Sequence, residues 1–539
     1  MPSVKKILVI SSWSGDYSDR FLSIATEIRS KYPGSEIHAI FYKLFVQNSK
    51  NDRDESNAYP FDKVFFSVGT SEFRRRVEFF NEYDEIYVFI KHSLIFDDNE
   101  LFDELEYNKV NAKYFLRNLL SLKNFFVSGS DQKKEIIRIL SENKRRNFEI
   151  RVKVFFLDKI TRVILFFMGF FDKYRKKSCK YKILFIRLDV LGDMVLSLPA
   201  LLALRRTYQD AEITVLASKR SGILIEEQHR LQPNKFCDHL VEWRASWHEN
   251  KERLQGTGAF FYLFFEALRF YRENYDLVVQ PVELGTGVVF AVFMRGRRTI
   301  ASIAERLPLA YLIKNLVESV DIKPYDLYHI ADLPSRCAEA AGAMDIDSCR
   351  HDLLVVSKND KENFIQIFSE YGYFLPQKVV VINIGAGSPK RRWSVENYKL
   401  LLLHLLRDKF YFPVVMGGRG DLELWNCIAS EMKENVVDFV GKTDVNQVVA
   451  LLSAADLVVT PDTGIMHLAA ALDKKIVALF GAGWVPFCKP LCSRYIIVKR
   501  ELGCSGCGDI CFQEGIPPCI SGISVEMVTD AINELLYAD

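Results

Sequence analysis

Leu457-Val-Val-Thr-Pro-Asp-Thr-Gly-Ile-Met-His-Leu-Ala-Ala-Ala-Leu472 reads as a buried strand, a tight polar turn and the start of a helix. Leu457, Val458, Val459 and Thr460 have the apolar, β-branched character of a strand end, and Pro461 interrupts the ladder. Asp462, Thr463 and Gly464 then form a turn whose backbone N–H groups open into a helix expected to begin near Ile465. Free amides and the positive end of a helix dipole together make an anion site that suits a diphosphate.

Working outward, the same order of aliphatic strand, Gly-containing turn and helix begins near Lys6, Lys182 and Lys378, the pattern of an α/β chain. Lys6-Ile-Leu-Val-Ile10 precedes Gly15-Asp16, and Lys182-Ile-Leu-Phe-Ile186 precedes Gly192-Asp193. Strand-like segments follow in the same order, at Glu36 and Glu212 and again at Tyr83 and Tyr275. Residues 1–130 therefore read as a diverged copy of the module that starts at Lys182, and 131–180 as a basic helical connector. The second module is expected over 181–355. A third, over 356–539, has strands expected at 379–384, 412–416, 436–440, 457–460 and 476–480, and a last helix over 525–536.

At 539 residues, 49% hydrophobic and 26% charged, the chain has a globular composition and is too long for one core; about three domains of roughly 150 residues are expected. A formal net charge of +2 argues against binding nucleic acid by bulk charge. The N-terminal residues enter a strand pattern at once, so no secretion signal is expected. Eleven cysteines, several isolated in sequence, fit a reduced, cytoplasmic setting better than a disulfide scaffold. Between Val154 and Phe171 the apolar run is broken by Asp158, Lys159 and Arg162, leaving too little to span a bilayer. With basic flanks, this segment reads either as an interfacial helix drawn to anionic lipid at the inner membrane or as an inter-domain helix with a buried apolar face.

Four loops at the carboxyl ends of expected strands carry chemistry, and open α/β sheets bind ligands at such ends. In Arg187-Leu-Asp-Val-Leu-Gly-Asp193, Gly192 permits close backbone approach and Asp193 offers a general base for a hydroxyl nucleophile, or else caps a helix expected near Val195. Lys390, Arg391 and Arg392 would present cations to phosphate, or remain solvated, with Trp393 a packing anchor. After Met416-Gly-Gly-Arg-Gly, Glu423 could accept ribose hydroxyls, or the turn is plain and capped by Asp421. The fourth loop is the Asp462-Thr463-Gly464 turn, with His467 one helical turn beyond. Separately, Cys504, Cys507, Cys511 and Cys519 have spacing that can hold structural zinc or iron, with disulfide and free-thiol readings open.

Arg187-Leu-Asp-Val-Leu-Gly-Asp-Met-Val-Leu-Ser-Leu-Pro-Ala, Lys390-Arg-Arg-Trp, Gly417-Gly-Arg-Gly-Asp, Phe439-Val-Gly-Lys-Thr443 and Asp462-Thr-Gly-Ile-Met-His-Leu-Ala-Ala-Ala together resemble glycosyltransferase family 9, the ADP-heptose:lipopolysaccharide heptosyltransferases. The resemblance covers about residues 181–536. It implies a GT-B architecture, two Rossmann-like domains facing across a cleft, here with an additional N-terminal α/β Rossmann-like domain. It further implies an ADP-sugar donor in the C-terminal domain, a lipid-linked saccharide acceptor on the other side, and inverting transfer with no metal needed for the chemistry. Asp193 would be the base. Gly192, Lys390, Glu423, Asp462, Thr463, Gly464 and His467 would bind the donor, and Arg391 would stabilise the leaving diphosphate where the family often has Lys. A different nucleotide sugar, a protein acceptor, or an inactive nucleotide-sugar-binding scaffold are the competing readings.

Overall fold

The computed structural model describes residues 6–13, 36–43, 63–68, 85–89 and 125–128 near the N-terminus. Beyond these it describes 161–175, 178–243, 257–281, 285–303, 316–321, 329–431, 436–500 and 516–537. The chain separates into two compact units, with the division in the N-terminal part falling between Val152 and Lys153.

The first unit holds a five-stranded sheet of β1 (Lys6–Trp13), β2 (Glu36–Lys43), β3 (Lys63–Val68), β4 (Glu85–Phe89) and β5 (Phe125–Ser128), ordered β3-β2-β1-β4-β5. All neighbours are parallel except β4 and β5, which run antiparallel.

The second unit contains two six-stranded sheets. One comprises β6 (Lys182–Arg187), β7 (Glu212–Ala217), β8 (His239–Glu242), β9 (Leu277–Gln280), β10 (Arg298–Ile303) and β11 (Glu318–Asp321). The other comprises β12 (Lys378–Asn383), β13 (Tyr411–Met416), β14 (Val437–Asp438), β15 (Leu457–Pro461), β16 (Lys475–Phe480) and β17 (Tyr495–Lys499). Their orders, β11-β10-β9-β6-β7-β8 and β14-β13-β12-β15-β16-β17, are the same doubly wound sequence 3-2-1-4-5-6, parallel throughout. The direction of winding reverses between β6 and β9 in one sheet and between β12 and β15 in the other, so each sheet opens a crevice at the carboxyl ends of those strands. The first unit repeats this winding through its fourth strand.

Central strands are buried on both faces, which is why they read as continuous aliphatic runs: Ile183 to Ile186, Val379 to Ile382 and Leu457 to Val459 are all essentially inaccessible. The helices over them are α1 (Leu191–Thr207), α2 (Lys219–Leu231), α3 (Thr257–Tyr271), α4 (Gly285–Met294), α5 (Lys358–Glu370), α6 (Val395–Arg407), α7 (Val445–Ala454), α8 (Gly464–Ala471) and α9 (Val525–Tyr537). One apolar core runs without a break from Ile183 and Phe185 through α1, α5, α7 and α8 to Val379 and Val458, so the two sheets are joined by packed helices. Asn446 on α7 reinforces the junction by donating to Glu227 on α2 at 2.9 Å.

Two expectations change in detail. The helix after β6 begins at Leu191 and not near Val195, taking Gly192 and Asp193 into its first turn. The strand expected over 436–440 is regular only at Val437–Asp438, although the Phe439 and Gly441 N–H groups still donate to the Val415 and Gly417 carbonyls, with Gly441 at a positive φ of 71°.

Candidate functional site

The decisive contact is between two helix starts. A Cβ built on Gly192, in the first turn of α1, would stand 3.1 Å from the Gly464 Cα and 3.0 Å from the His467 ring; one built on Gly464 would stand 3.1 Å from the Gly192 nitrogen. Glycine at both positions lets the N-termini of α1 and α8 touch backbone to backbone, one from each sheet. Neither helix has a side chain accepting from its first-turn amides through its N-cap residue, Val190 or Thr463. Their positive ends therefore converge on one place.

Beside this contact on the β6 side, Arg187 lies almost wholly buried between two carboxylates, its Nε 3.5 Å from Asp189 and its Nη2 3.2 Å from Asp193. Asp193 also accepts from the Val190 N–H at 3.2 Å. It therefore does cap its helix, from inside the first turn, and its partly exposed carboxylate is oriented by both contacts. Burial, with the Asp193 charge adding and Arg187 opposing, pushes the Asp189 carboxyl up to about 6.

On the β15 side, Asp462 is buried and pairs with Arg391 Nη1 at 3.2 Å. The Cys488 thiol donates to the same carboxylate at 3.6 Å, and its burial raises the thiol pKa well above the ordinary value, keeping it protonated. Thr463 is held from below: the Asn383 amide, at the end of β12, donates to Thr460 at 3.0 Å, Thr463 at 3.3 Å and the Gly385 carbonyl at 3.1 Å. His467 is buried one turn into α8, and its Nδ1 has no hydrogen-bond partner among the described residues. Burial, with His329 adding, pushes the imidazole down to about 3, so it is neutral at physiological pH.

Gly192, Asp193, Thr463, Gly464 and His467 thus gather around the paired helix starts, with Arg391 tied to the same turn through Asp462. Half-buried Lys390 precedes Arg391 on the loop after β12. Arg392 serves the scaffold, bonded to Asp421 at 2.8 Å, and Trp393 is a packing anchor that donates to the Ile523 carbonyl. Asp421 also caps the Gly418 N–H at 2.9 Å. Glu423 is exposed on the short helix Leu422–Ile428, and among the described residues no hydrogen bond or ion pair joins it to the cluster.

Sequence reasoning passed over Asp189 as a charged group, Asn383 as a clamp, and Gln280 and Ser302. The last two lie at the carboxyl ends of β9 and β10, each with a buried side-chain oxygen that lacks a partner among the described residues. A polar residue ending an apolar strand was the available signal. The structural zinc or iron finds no support: Cys504, Cys507 and Cys511 lie outside the described residues, and no group of three or more metal-ligating side chains occurs among those described. Cys519 is buried against Gly481.

With this geometry in view, residues 290–514 match the family model for glycosyltransferase family 9 (heptosyltransferase). Through that region the chain is similar to glycosyltransferase family 9. The family 9 match leaves out the Arg187–Asp193 loop. The chain is 30% identical over 155 residues to lipooligosaccharide heptosyltransferase 2 of Haemophilus influenzae and to lipopolysaccharide heptosyltransferase 2 of Escherichia coli K12. Each alignment covers 28% of this chain and 44% of the relative, so the chain spans less than half the length of these relatives. A family 9 glycosyl transferase from Veillonella parvula superposes with a TM-score of 0.52 at 21% identity, covering 67% of this chain and 99% of that one, a likeness of fold.

Proposed function

We propose that this chain is a family 9 glycosyltransferase that moves a sugar, heptose in the leading reading, from an ADP-sugar to a lipopolysaccharide core or related surface-glycan acceptor, working on the cytoplasmic side where nucleotide sugars are made. The observation that carries the reading is the Gly192–Gly464 contact. It brings the helix start that carries the Asp193 carboxylate beside the start of α8, whose first-turn amides suit an anion.

In the proposed reaction the donor diphosphate lies on the first-turn amides of α8, with Arg391 and Lys390 supplying positive charge. Asp193 takes the proton from the acceptor hydroxyl, whose oxygen bonds to the anomeric carbon from the face opposite the diphosphate. The electron pair of the breaking C–O bond passes to the terminal phosphate oxygen of ADP. Charge developing there is met by the helix dipole and the guanidinium, so a metal is not required in this scheme. Asp193 keeps lone pairs for this role although Arg187 and the Val190 N–H hold it, since each carboxylate oxygen can accept twice. Neutral His467 supplies a hydrogen bond to phosphate or sugar and not a proton acceptor for the hydroxyl.

The test is a donor screen by mass spectrometry with ADP-, GDP- and UDP-sugars and a lipopolysaccharide-core acceptor, alongside nucleotide-binding measurements. Transfer from an ADP-sugar that Asp193→Ala abolishes, with donor binding retained, supports the reading. Full turnover in Asp193→Ala removes the base assignment, and absence of any sugar-nucleotide binding by the wild type removes the function.

A further inference from the structure

The helix over residues 161–171 carries two opposite apolar stripes. Thr161 and Met168 are buried on one side, where Ile164 and Leu165 pack against the core that includes Phe290 and Phe293. Val163, Phe166, Phe167, Phe170, Phe171 and, just beyond, Tyr174 form the other stripe at spacings of three and four, each between 54% and 73% exposed. Phe166 contacts Phe167 and Phe170 at ring-centroid distances of 5.7 and 5.2 Å, and Phe171 contacts Tyr174 at 6.5 Å, so the exposed rings cluster along the stripe.

That patch is rigidly presented. Tyr271 Oη lies 2.8 Å from both the Met168 carbonyl and Asp172, Arg295 donates to the Leu165 carbonyl and pairs with Asp172 at 3.0 Å, and Arg175 lies over the Tyr271 ring. These contacts hold the inner stripe down and leave the aromatic stripe outward.

Charge identifies the occupant. Residues 151–180 contain nine lysines and arginines against two aspartates, while the whole chain has a net charge of only +2. Positive charge is thus concentrated in the sequence around the aromatic stretch, and the rest of the chain is net negative. A second copy meeting this one through the same face would bring two strongly cationic segments together, whereas an anionic headgroup layer would neutralise them. The described helical residues 161–171 span about 16 Å, long enough to lie in a bilayer surface, and no helix among the described residues is long and apolar enough to cross one.

We propose that this face seats the protein on an anionic lipid bilayer. Phe166, Phe167, Phe170 and Phe171 enter the boundary between headgroups and acyl chains, and the flanking lysines and arginines engage lipid phosphates. The proposal deepens the reading above, since a lipid-linked acceptor would share that surface, but its test needs no sugar transfer.

Full-length protein is mixed with vesicles of phosphatidylcholine alone or with phosphatidylglycerol added, and the bound fraction is measured by flotation. Binding to the anionic vesicles is expected to exceed binding to neutral ones by about tenfold or more and to weaken with salt. The quadruple variant Phe166→Ser, Phe167→Ser, Phe170→Ser, Phe171→Ser is expected to lose about tenfold or more of that binding. It should keep the wild-type melting temperature, because all four rings are exposed. If that variant does not fold, the single variant Phe167→Trp decides, with a blue shift of its added emission, read as the difference from wild type, expected on mixing with anionic vesicles. Undiminished binding by a folded quadruple variant, no such shift in the Phe167→Trp variant, or wild-type protein that ignores vesicles and instead forms a dimer through this face would overturn the proposal. Donor binding and transfer assays fail or succeed independently of all these outcomes.

Discussion

Gly192 and Gly464 touch across the junction of the two sheets, closely enough that a methyl group on either would press on the backbone of the other. The His467 ring closes the third side at 3.0 Å, so Gly192→Ala must push against a buried ring as well as a helix start. Gly192→Ala and Gly464→Ala should each cost about 1–3 kcal/mol. That loss would lower the melting temperature by several degrees and weaken nucleotide binding more than a surface Gly387→Ala, which meets nothing within 4 Å. Thermal melts and nucleotide titrations on the three variants check this, and equal behaviour would mean the glycines are not there for contact.

Asp193 has two separable jobs. Its Oδ2 accepts from the Val190 N–H and its Oδ1 meets Arg187, while in the proposed reaction it also takes a proton. Asparagine can still accept at the helix start but cannot serve as base. Asp193→Asn is therefore expected to lose about 10²–10⁴-fold in kcat at unchanged donor affinity. Arg187→Met should instead destabilise by about 3–5 kcal/mol, because it leaves Asp189 and Asp193 facing each other without the buried cation between them. Steady-state kinetics with donor titration separates the first effect, and chemical unfolding the second.

Much of this arrangement was legible from the residues. Strand, turn and helix at Leu457–Ala471 followed from β-branched apolar residues, a proline and a glycine, and Gly192-Asp193 marked the corresponding turn of the other sheet. What misled was the glycine itself. Gly192 reads as a loop residue, yet it sits inside α1 because only there can the helix reach Gly464, a contact 272 positions away in sequence. Asn383 likewise ends an apolar strand without announcing that it binds Thr460 and Thr463, since its partners come from β15 and the turn after it. β17 escaped notice because Tyr495–Lys499 is a half-exposed edge strand following a Pro- and Cys-containing loop, so its pattern lacks the unbroken burial of β15 and β16.

Two groups near the paired helix starts, buried His467 and partly buried Asp189, give opposite pH signatures. Asp189 titrates near 6 in the folded protein against an ordinary value of 3.8, so between about pH 4 and 6 the native state holds a proton the unfolded chain has released. Its contribution to stability therefore falls as pH rises through that window. His467 is pushed from 6.5 down to about 3, so below pH 6.5 the unfolded chain takes up a proton that the native state refuses, and stability falls as pH drops. Melting temperatures from pH 4 to 8 should show Asp189→Asn removing a loss seen on raising pH, and His467→Gln removing a loss seen on lowering it. Difference curves of the same sign would contradict one of the two assignments.

Arg391 pairs with Asp462, and Asp462 also accepts from the Cys488 thiol, so the cation proposed for the leaving group is coupled to a buried carboxylate. Arg391→Ala should reduce kcat/KM with an ADP-sugar by about 10²–10³-fold, the scale of losing one preorganised charge in a transition state. Arg391→Lys keeps the charge but loses the planar fork that spans phosphate and carboxylate, so partial recovery, with KM improving more than kcat, is expected. Asp462→Asn removes the carboxylate charge that pairs with Arg391. It should lower kcat about as much as Arg391→Lys while costing stability, because the buried side of the guanidinium loses its counter-charge. Kinetics of the three variants beside their melting curves distinguishes a positioning role for Asp462 from a purely structural one, in which the melt would move and kcat of the folded fraction would not.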